Sequence, residues 1–379
     1  MTAIRTPLFA VCGDLANLQP RDRSLLLERG FSTDATLRDD VAAIVERVRE
    51  QGDAALRELA RDLDGVLLDE LEVPREACAR ALDALDPSVR RAMQRAADNI
   101  AGVHRAVPLE GTVVEPEPGI LVGRSPQPLE RVGVYAPGGR APYPSSVLMG
   151  VIPARVAGVR DVILCSPPQT EAGRPSDVVL AAAALCGADR VFAAGGAGAI
   201  AAMAYGTDTI PRVDLIVGPG NAYVAEAKAQ VRRVVATDAP AGPSELLVIT
   251  DGSADPELIA REMLAQAEHD DKACVVCIAV GAASTDAIER ALRARVFDQP
   301  RAAIIAASLA ARGALVAAES LDDALAFTEA FAPEHLLLAI HDPQAVRERV
   351  RNVGTVFLGE SSSVTFGDYM TGANHVLPT

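Results

Sequence analysis

The chain has very few aromatic side chains. Of its 379 residues, 3% are Phe, Trp or Tyr, and none is tryptophan. This argues against a surface that stacks nucleic-acid bases on rings, and it leaves the cores to be built from Ala, Val, Leu and Ile. Positive charge is also in deficit, with 36 Lys and Arg against 51 Asp and Glu and a formal net charge of −15. Phosphate backbones need clustered Lys and Arg, so no nucleic-acid partner is expected. Long apolar runs are missing too. The Ala-rich stretches 178–186 and 302–311 fall well short of the ~20 residues that a membrane-spanning helix needs, so no membrane partner is expected. The first residues, with Arg5, Pro7 and Asp14, contain no apolar core of a signal peptide. The six cysteines (Cys12, Cys78, Cys165, Cys186, Cys274 and Cys277) are scattered, mostly among apolar neighbours. They read as small reduced core residues in a cytoplasmic protein. Cys274-x-x-Cys277 lies in the apolar run 273–280, which is of strand type. On a strand, residues i and i+3 point to opposite faces, so a chelating pair is not expected there.

What is present is apolar content of 49%, enough for more than one core, and a length that favours two domains. Apolar spacing predicts a helix after Asp40 that ends at Gly52, and a second from Asp53 to Asp64-Gly65. A third, long helix follows Asp86-Pro87. The Pro-rich segment 116–128 is expected to break regular structure, and residues 131–135 to form a strand. From there strand and helix alternate to about residue 358, which argues for parallel sheets with helices on their faces.

Glycine-rich loops punctuate the first part of that alternation: residues 135–139, Gly195-Gly-Ala-Gly-Ala199 and Gly218-Pro-Gly-Asn221. Loops of this kind offer backbone N–H groups and a positive helix end to a phosphate. Gly196-x-Gly198-x-x-Ala201 fits a dinucleotide fingerprint, although no acidic residue stands at the end of the next strand. Three such loops together favour a nucleotide crevice over three plain turns.

Histidine is scarce, with five residues, and His335 stands beside Glu334 in Ala332-Pro-Glu-His-Leu336. Proton transfer near neutral pH favours imidazole. Pro333 disfavours helix at Ala332, so the pair is expected where an extended segment begins, with the two side chains diverging. Such a pair could supply two bases; the bland alternative is a surface Glu beside a structural His. A helix opened by Asp255-Pro256 carries Gln266 where its apolar stripe predicts core, with His269 three residues on. Two donors at that spacing suit a metal, and a polar last helical turn explains them equally well. Asp368 and His375 lie in a Gly-rich tail expected to be a loop.

At this point the chain resembles the histidinol dehydrogenase family. The resemblance rests on Arg131-Val-Gly-Val-Tyr-Ala-Pro-Gly-Gly139, Pro144-Ser-Ser-Val-Leu148, Gly195-Gly-Ala197, Ala204-Tyr-Gly-Thr207 and Val217-Gly-Pro-Gly-Asn221. It continues through Ala241-Gly-Pro-Ser-Glu245, Gln266-Ala-Glu-His269, Ala332-Pro-Glu-His335, Gly367-Asp-Tyr369 and Asn374-His-Val-Leu-Pro378, all in the family's order. It implies an α/β fold of two incomplete Rossmann-like domains, one inserted into the other, in a homodimer. Residues 1–31 would be an N-terminal arm. Residues 32–134 with 246–379 would form the first domain, carrying the catalytic and metal residues, and 135–245 the second, on the NAD side. The implied activity is oxidation of L-histidinol to L-histidine through the aldehyde, with two NAD reduced in succession.

By the same resemblance, His335 would be the base for the alcohol proton and Glu334 the base that activates water on the aldehyde. Tyr135 and Asn221 would contact NAD, Ser244 the substrate, and Gln266, His269 and Asp368 a zinc ion (Zn2+). The substrate would also meet His335 and His375, and the zinc ligands would border it. The family usually has Gln where Gly198 stands, and that Gln contacts NAD. The family also continues past the equivalent of Thr379 into a tail that reaches the partner subunit, bringing a His to the zinc and a Glu to the substrate. The alternatives are a shortened relative acting on another primary alcohol and an inactive scaffold. The intact Glu334-His335 pair and the Gln266, His269 and Asp368 set speak against the scaffold.

Overall fold

The computed structural model describes residues 7–28, 35–107, 109–138, 142–239, 242–281 and 283–377. The chain divides into two compact units. One comprises Met1–Phe31, Ala241–Phe366 and Leu377–Thr379; the other comprises Ser32–Pro240 and Gly367–Val376. Insertion of one unit into the other follows the family expectation, but the boundaries are corrected. Residues 32–134 do not join 246–379. The apolar faces of the helices Ala35–Gln51 and Pro87–Arg105 are buried in the two cores of the second unit. The strand Arg131–Tyr135 stands in the middle of that unit's sheet.

The first unit is a six-stranded parallel sheet. Its order is Val11–Asp14, Ala314–Ala318, Cys274–Val280, Glu245–Thr250, His335–Ala339, Thr355–Leu358. Strands such as Cys274–Val280 are buried along their whole length, as expected of a parallel sheet covered on both faces. Cys274 and Cys277 fall in separate hydrophobic clusters, in line with opposite faces of one strand. The N-terminal segment is not an arm. Val11–Asp14 pairs in parallel with Ala314–Ala318, and Phe9, Val11 and Leu15 are buried, which ties this segment to the sheet edge. The chain fills the sheet outward from Glu245–Thr250 on one side and then returns to its other side with His335–Ala339. The topological switch point therefore lies between these two strands.

The second unit has the sheet order Glu72–Val73, Arg190–Ala193, Asp161–Ser166, Arg131–Tyr135, Leu215–Val217, Ala236–Thr237. All pairs are parallel except the first, at the edge. Its switch point is between Arg131–Tyr135 and Leu215–Val217; the glycine loops at 135–139 and 218–221 follow the carboxyl ends of these two strands, and that at 195–199 follows Arg190–Ala193. The helix Ala35–Gln51 starts before Asp40 and buries Val41, Val45 and Val48 on one stripe. The Pro-rich segment is more regular than expected: Thr112–Glu117 and Ile120–Arg124 form an antiparallel hairpin. Pro116 is tolerated because the ladder is irregular between Val114 and Glu117.

Candidate active site

In the first unit the site is built where two neighbouring strands begin. Leu246 is in register with His335, so Glu245, which opens its strand, and Glu334, which directly precedes the other, lie side by side. The helix Leu321–Phe331 ends at Ala332, held in the left-handed region at φ 49 and ψ 62 by a hydrogen bond from its N–H to the Thr328 carbonyl, 2.8 Å. Pro333 disfavours ordinary helical geometry at Ala332, and the left-handed cap is adopted instead of the expected extended conformation. Among the described residues, Ala332 is the one non-glycine with positive φ. Strain of this kind collects at functional sites.

Glu245, Glu334 and His335 are all buried, at 4, 6 and 5% relative exposure, so each ionisable group must be compensated within the protein. The Glu245 backbone N–H donates to Glu334 Oε2 at 2.9 Å, and the Glu334 N–H donates to Glu245 Oε2 at 3.4 Å. His335 Nδ1 is 3.0 Å from the Glu245 carbonyl oxygen and 3.5 Å from Glu334 Oε2. A carbonyl can only accept, so Nδ1 carries the hydrogen and the basic lone pair of the neutral ring is on Nε2. The expectation of diverging side chains is corrected here: both lean on the backbone of Glu245, which holds them together. Glu245 was missed as a site residue, although it closes the Ala241–Glu245 motif. Gly354 approaches from the next strand; its N–H donates to the Pro333 carbonyl at 3.0 Å, and Thr355 N–H donates to the Glu334 carbonyl at 2.9 Å.

Ser244 directly precedes this cluster, and its carbonyl accepts from Cys274 N–H at 3.0 Å. Gln266 is buried on the last turn of the helix Pro256–Ala267, which Asp255 caps through the Glu257 N–H. His269 follows the helix end, with Nδ1 on the Ala265 carbonyl at 2.9 Å. Metal-bound histidines are commonly oriented by such a bond and ligate through the other nitrogen. A buried amide oxygen and an imidazole nitrogen suit zinc. Among the described residues no three His, Cys, Asp or Glu side chains gather as a metal site, and the implied set reaches three donors only by counting Gln266.

In the second unit, Asp368 is buried in the short helix Val364–Tyr369, where a loop was expected. Asn374 Nδ2 donates to the Met149 carbonyl at 3.1 Å, and His375 Nε2 lies 3.1 Å from Ser145 Oγ. Tyr135, buried at the end of its strand, accepts from the Gly196 N–H through its hydroxyl at 3.1 Å. Burial pushes this phenol up to about 12, so it stays protonated. The helix Gly196–Tyr205 begins without a helix-capping side chain at Gly195; with the Gly196 N–H taken by Tyr135, the next N–H groups of the first turn are left to serve an anion. At Gly198 a Cβ would stand 2.8 Å from Leu59 Cδ1 and 3.4 Å from Leu56 Cδ2. That face is used for close packing, so a contact from Gly198 to a cofactor would come from its backbone.

Asn221 caps the helix Ala222–Val231 by accepting from Val224 N–H at 3.1 Å, which leaves its amide NH2 as the donor for a ligand. Gly218 (φ +118) passes so close to Tyr135 that a Cβ would lie 2.0 Å from the Tyr135 carbonyl oxygen. Its loop is clamped by Asp238, which accepts from the Gly218 N–H at 2.8 Å and pairs with Lys228 Nζ at 2.6 Å. Lys228 also donates to the Gly218 carbonyl. These donors at the carboxyl ends of the strands fit a dinucleotide phosphate.

Among the described residues no helix is long and apolar enough to cross a membrane. A sequence profile described as histidinol dehydrogenase matches residues 27–379. The histidinol dehydrogenase of Methanosarcina mazei is 45% identical over 366 residues, covering 96% of this chain and 84% of that protein. That of Thermus thermophilus is 46% identical over 357 residues, covering 94% and 84%. The crystal structure of histidinol dehydrogenase from Elizabethkingia anophelis superimposes with a TM-score of 0.92 at 33% identity, covering 99% of this chain and 86% of that one.

Proposed function

The chain belongs to the histidinol dehydrogenase family, NAD-dependent enzymes that oxidise L-histidinol to L-histidine, and for that reaction we propose a division of proton transfer between Glu334 and His335. Two oxidations at one carbon need two different proton removals. The first takes the O–H proton of the alcohol as hydride leaves its carbon. His335 Nε2 accepts that proton, and the positive ring is stabilised by Glu334 Oε2, 3.5 Å from Nδ1. The second oxidation starts from an aldehyde, which must be hydrated before a C–H can again leave as hydride. Glu334 takes the proton of the attacking water.

When bound, NAD would supply the hydride acceptor for each oxidation, and zinc would supply a Lewis-acid anchor that orients the substrate. Tyr135, Asn221 and the backbone at Gly198 would hold the dinucleotide. Gln266 and His269 would hold the metal, and the resemblance implies Asp368 as a third ligand. Ser244 and His375 would contact the substrate. A homodimer in the cytoplasm belongs to the same reading.

The observation that carries this reading is the fixing of His335 Nδ1 on the Glu245 carbonyl at 3.0 Å, which presents Nε2 as the base. The test is turnover of L-histidinol with NAD and zinc. We expect two NADH and one histidine per histidinol consumed; a protein that takes up zinc and NAD yet forms no NADH from histidinol refutes the reading.

A further inference from the structure

Asp64 takes no part in the proposed chemistry, yet its carboxylate stands beside the cofactor loop. The helix Asp53–Leu59 runs directly into a π-helical turn, Ala60–Asp64, closed by Gly65 in the left-handed region. Turns of this type are rare and are frequently found at functional sites. The turn delivers Asp64 Oδ2 to within 3.7 Å of where a Cβ on Gly195 would stand, and Pro167 is 2.8 Å from the same point. The carboxylate therefore lies near the carboxyl end of the strand Asp161–Ser166, which Pro167 follows. Its charge also acts on the Tyr135 phenol, whose hydroxyl is bound to the Gly196 N–H.

Thr170 Oγ1 donates to the Asp64 backbone carbonyl at 3.3 Å, but among the described residues no group donates to the Asp64 carboxylate. Burial pushes this carboxyl up to about 6. A half-buried acceptor without a donor, beside a glycine loop and an uncapped helix start, suits a ligand that brings hydroxyl groups. In dinucleotide folds the acidic residue that binds the adenosine ribose stands near the end of the second strand, and it also repels a 2′-phosphate. Ser166-Pro167 provides no carboxylate there, and Asp64 reaches the place from an earlier part of the chain.

We propose that Asp64 accepts the hydroxyls of the dinucleotide's adenosine ribose and sets the preference for NAD over NADP. This rests on the reading of the glycine loops as the NAD site. The test compares wild-type enzyme with Asp64→Asn on histidinol, using NAD and NADP as separate cosubstrates. Losing a charged acceptor for ribose hydroxyls is expected to raise KM for NAD by at least tenfold and leave kcat within about twofold. The NAD to NADP ratio of kcat/KM should fall by at least tenfold. An unchanged KM for NAD, or an unchanged ratio, overturns the proposal even if wild-type enzyme uses NAD well. Wild-type protein that reduces neither dinucleotide would instead overturn the NAD reading itself. Asp64→Ser, judged by the same ratio, replaces Asn if that variant does not fold.

Discussion

Replacing Lys228 by Met should destabilise the second unit and loosen the Gly218 loop. The Lys228 ammonium is 2.6 Å from Asp238 Oδ1, with side-chain exposures of 11% and 15%, and it also donates to the Gly218 carbonyl. Desolvation by burial lowers the Lys228 pKa, with Asp238 opposing that shift, so the pair is held at some cost. Met keeps the apolar stem and removes the charge. Asp238 then keeps only its bond from the Gly218 N–H at 2.8 Å. Breaking a fully buried pair costs about 3–5 kcal/mol, and the residual exposure of both groups reduces this to about 2–3 kcal/mol. Urea unfolding followed by circular dichroism measures the loss. The double variant Lys228→Met with Asp238→Leu should recover most of it, because no uncompensated charge remains. Loss below about 0.5 kcal/mol in the single variant, or a double variant no better than the single, refutes the clamp.

Three further outcomes are expected. A Cβ at Gly354 would lie 2.6 Å from the Glu334 carbonyl oxygen, so Gly354→Ala must displace the backbone of the proposed Glu334-His335 base pair; we expect a stability loss of about 1–3 kcal/mol and a fall in kcat, and unchanged kcat speaks against tight positioning. Burial raises the Asp64 pKa from its ordinary 3.8 to about 6, so the folded state binds the proton more tightly than the unfolded one. The native state is relatively favoured below pH 3.8 and loses that advantage as pH rises to about 6, so Asp64→Asn should gain on the order of 1 kcal/mol at pH 8, discounted for partial exposure, and little at pH 4. Equal effects at both pH values would falsify this origin. Finally, His269→Ala should lower zinc content measured by mass spectrometry, and retention of stoichiometric metal would remove His269 from the ligand set.

The alternation of strands and helices was legible because parallel strands buried on both faces are continuous apolar runs, as in Cys274–Val280. The opposite faces of Cys274 and Cys277 followed from strand periodicity alone. Unit boundaries were not legible, because the helices that pack on the Arg131–Tyr135 sheet precede it in sequence and carry no mark of which sheet they cover. The hairpin at 112–124 was hidden by its prolines. In the site, the Glu334-His335 pair stood out in sequence, whereas the role of Glu245 did not. Glu245 acts through its backbone and through register with a strand about ninety residues away. The approach of Asp64 to the Gly195 loop was likewise invisible, since only the π-helical turn brings it there.

The most direct test of the division of labour is Glu334→Gln, with the alcohol and aldehyde oxidations measured separately. If Glu334 activates water, oxidation of added aldehyde should fall by about 10² or more, while NADH formed in the first turnover from histidinol falls by less than tenfold. Equal loss in both halves would contradict it and make Glu334 a residue that only orients His335.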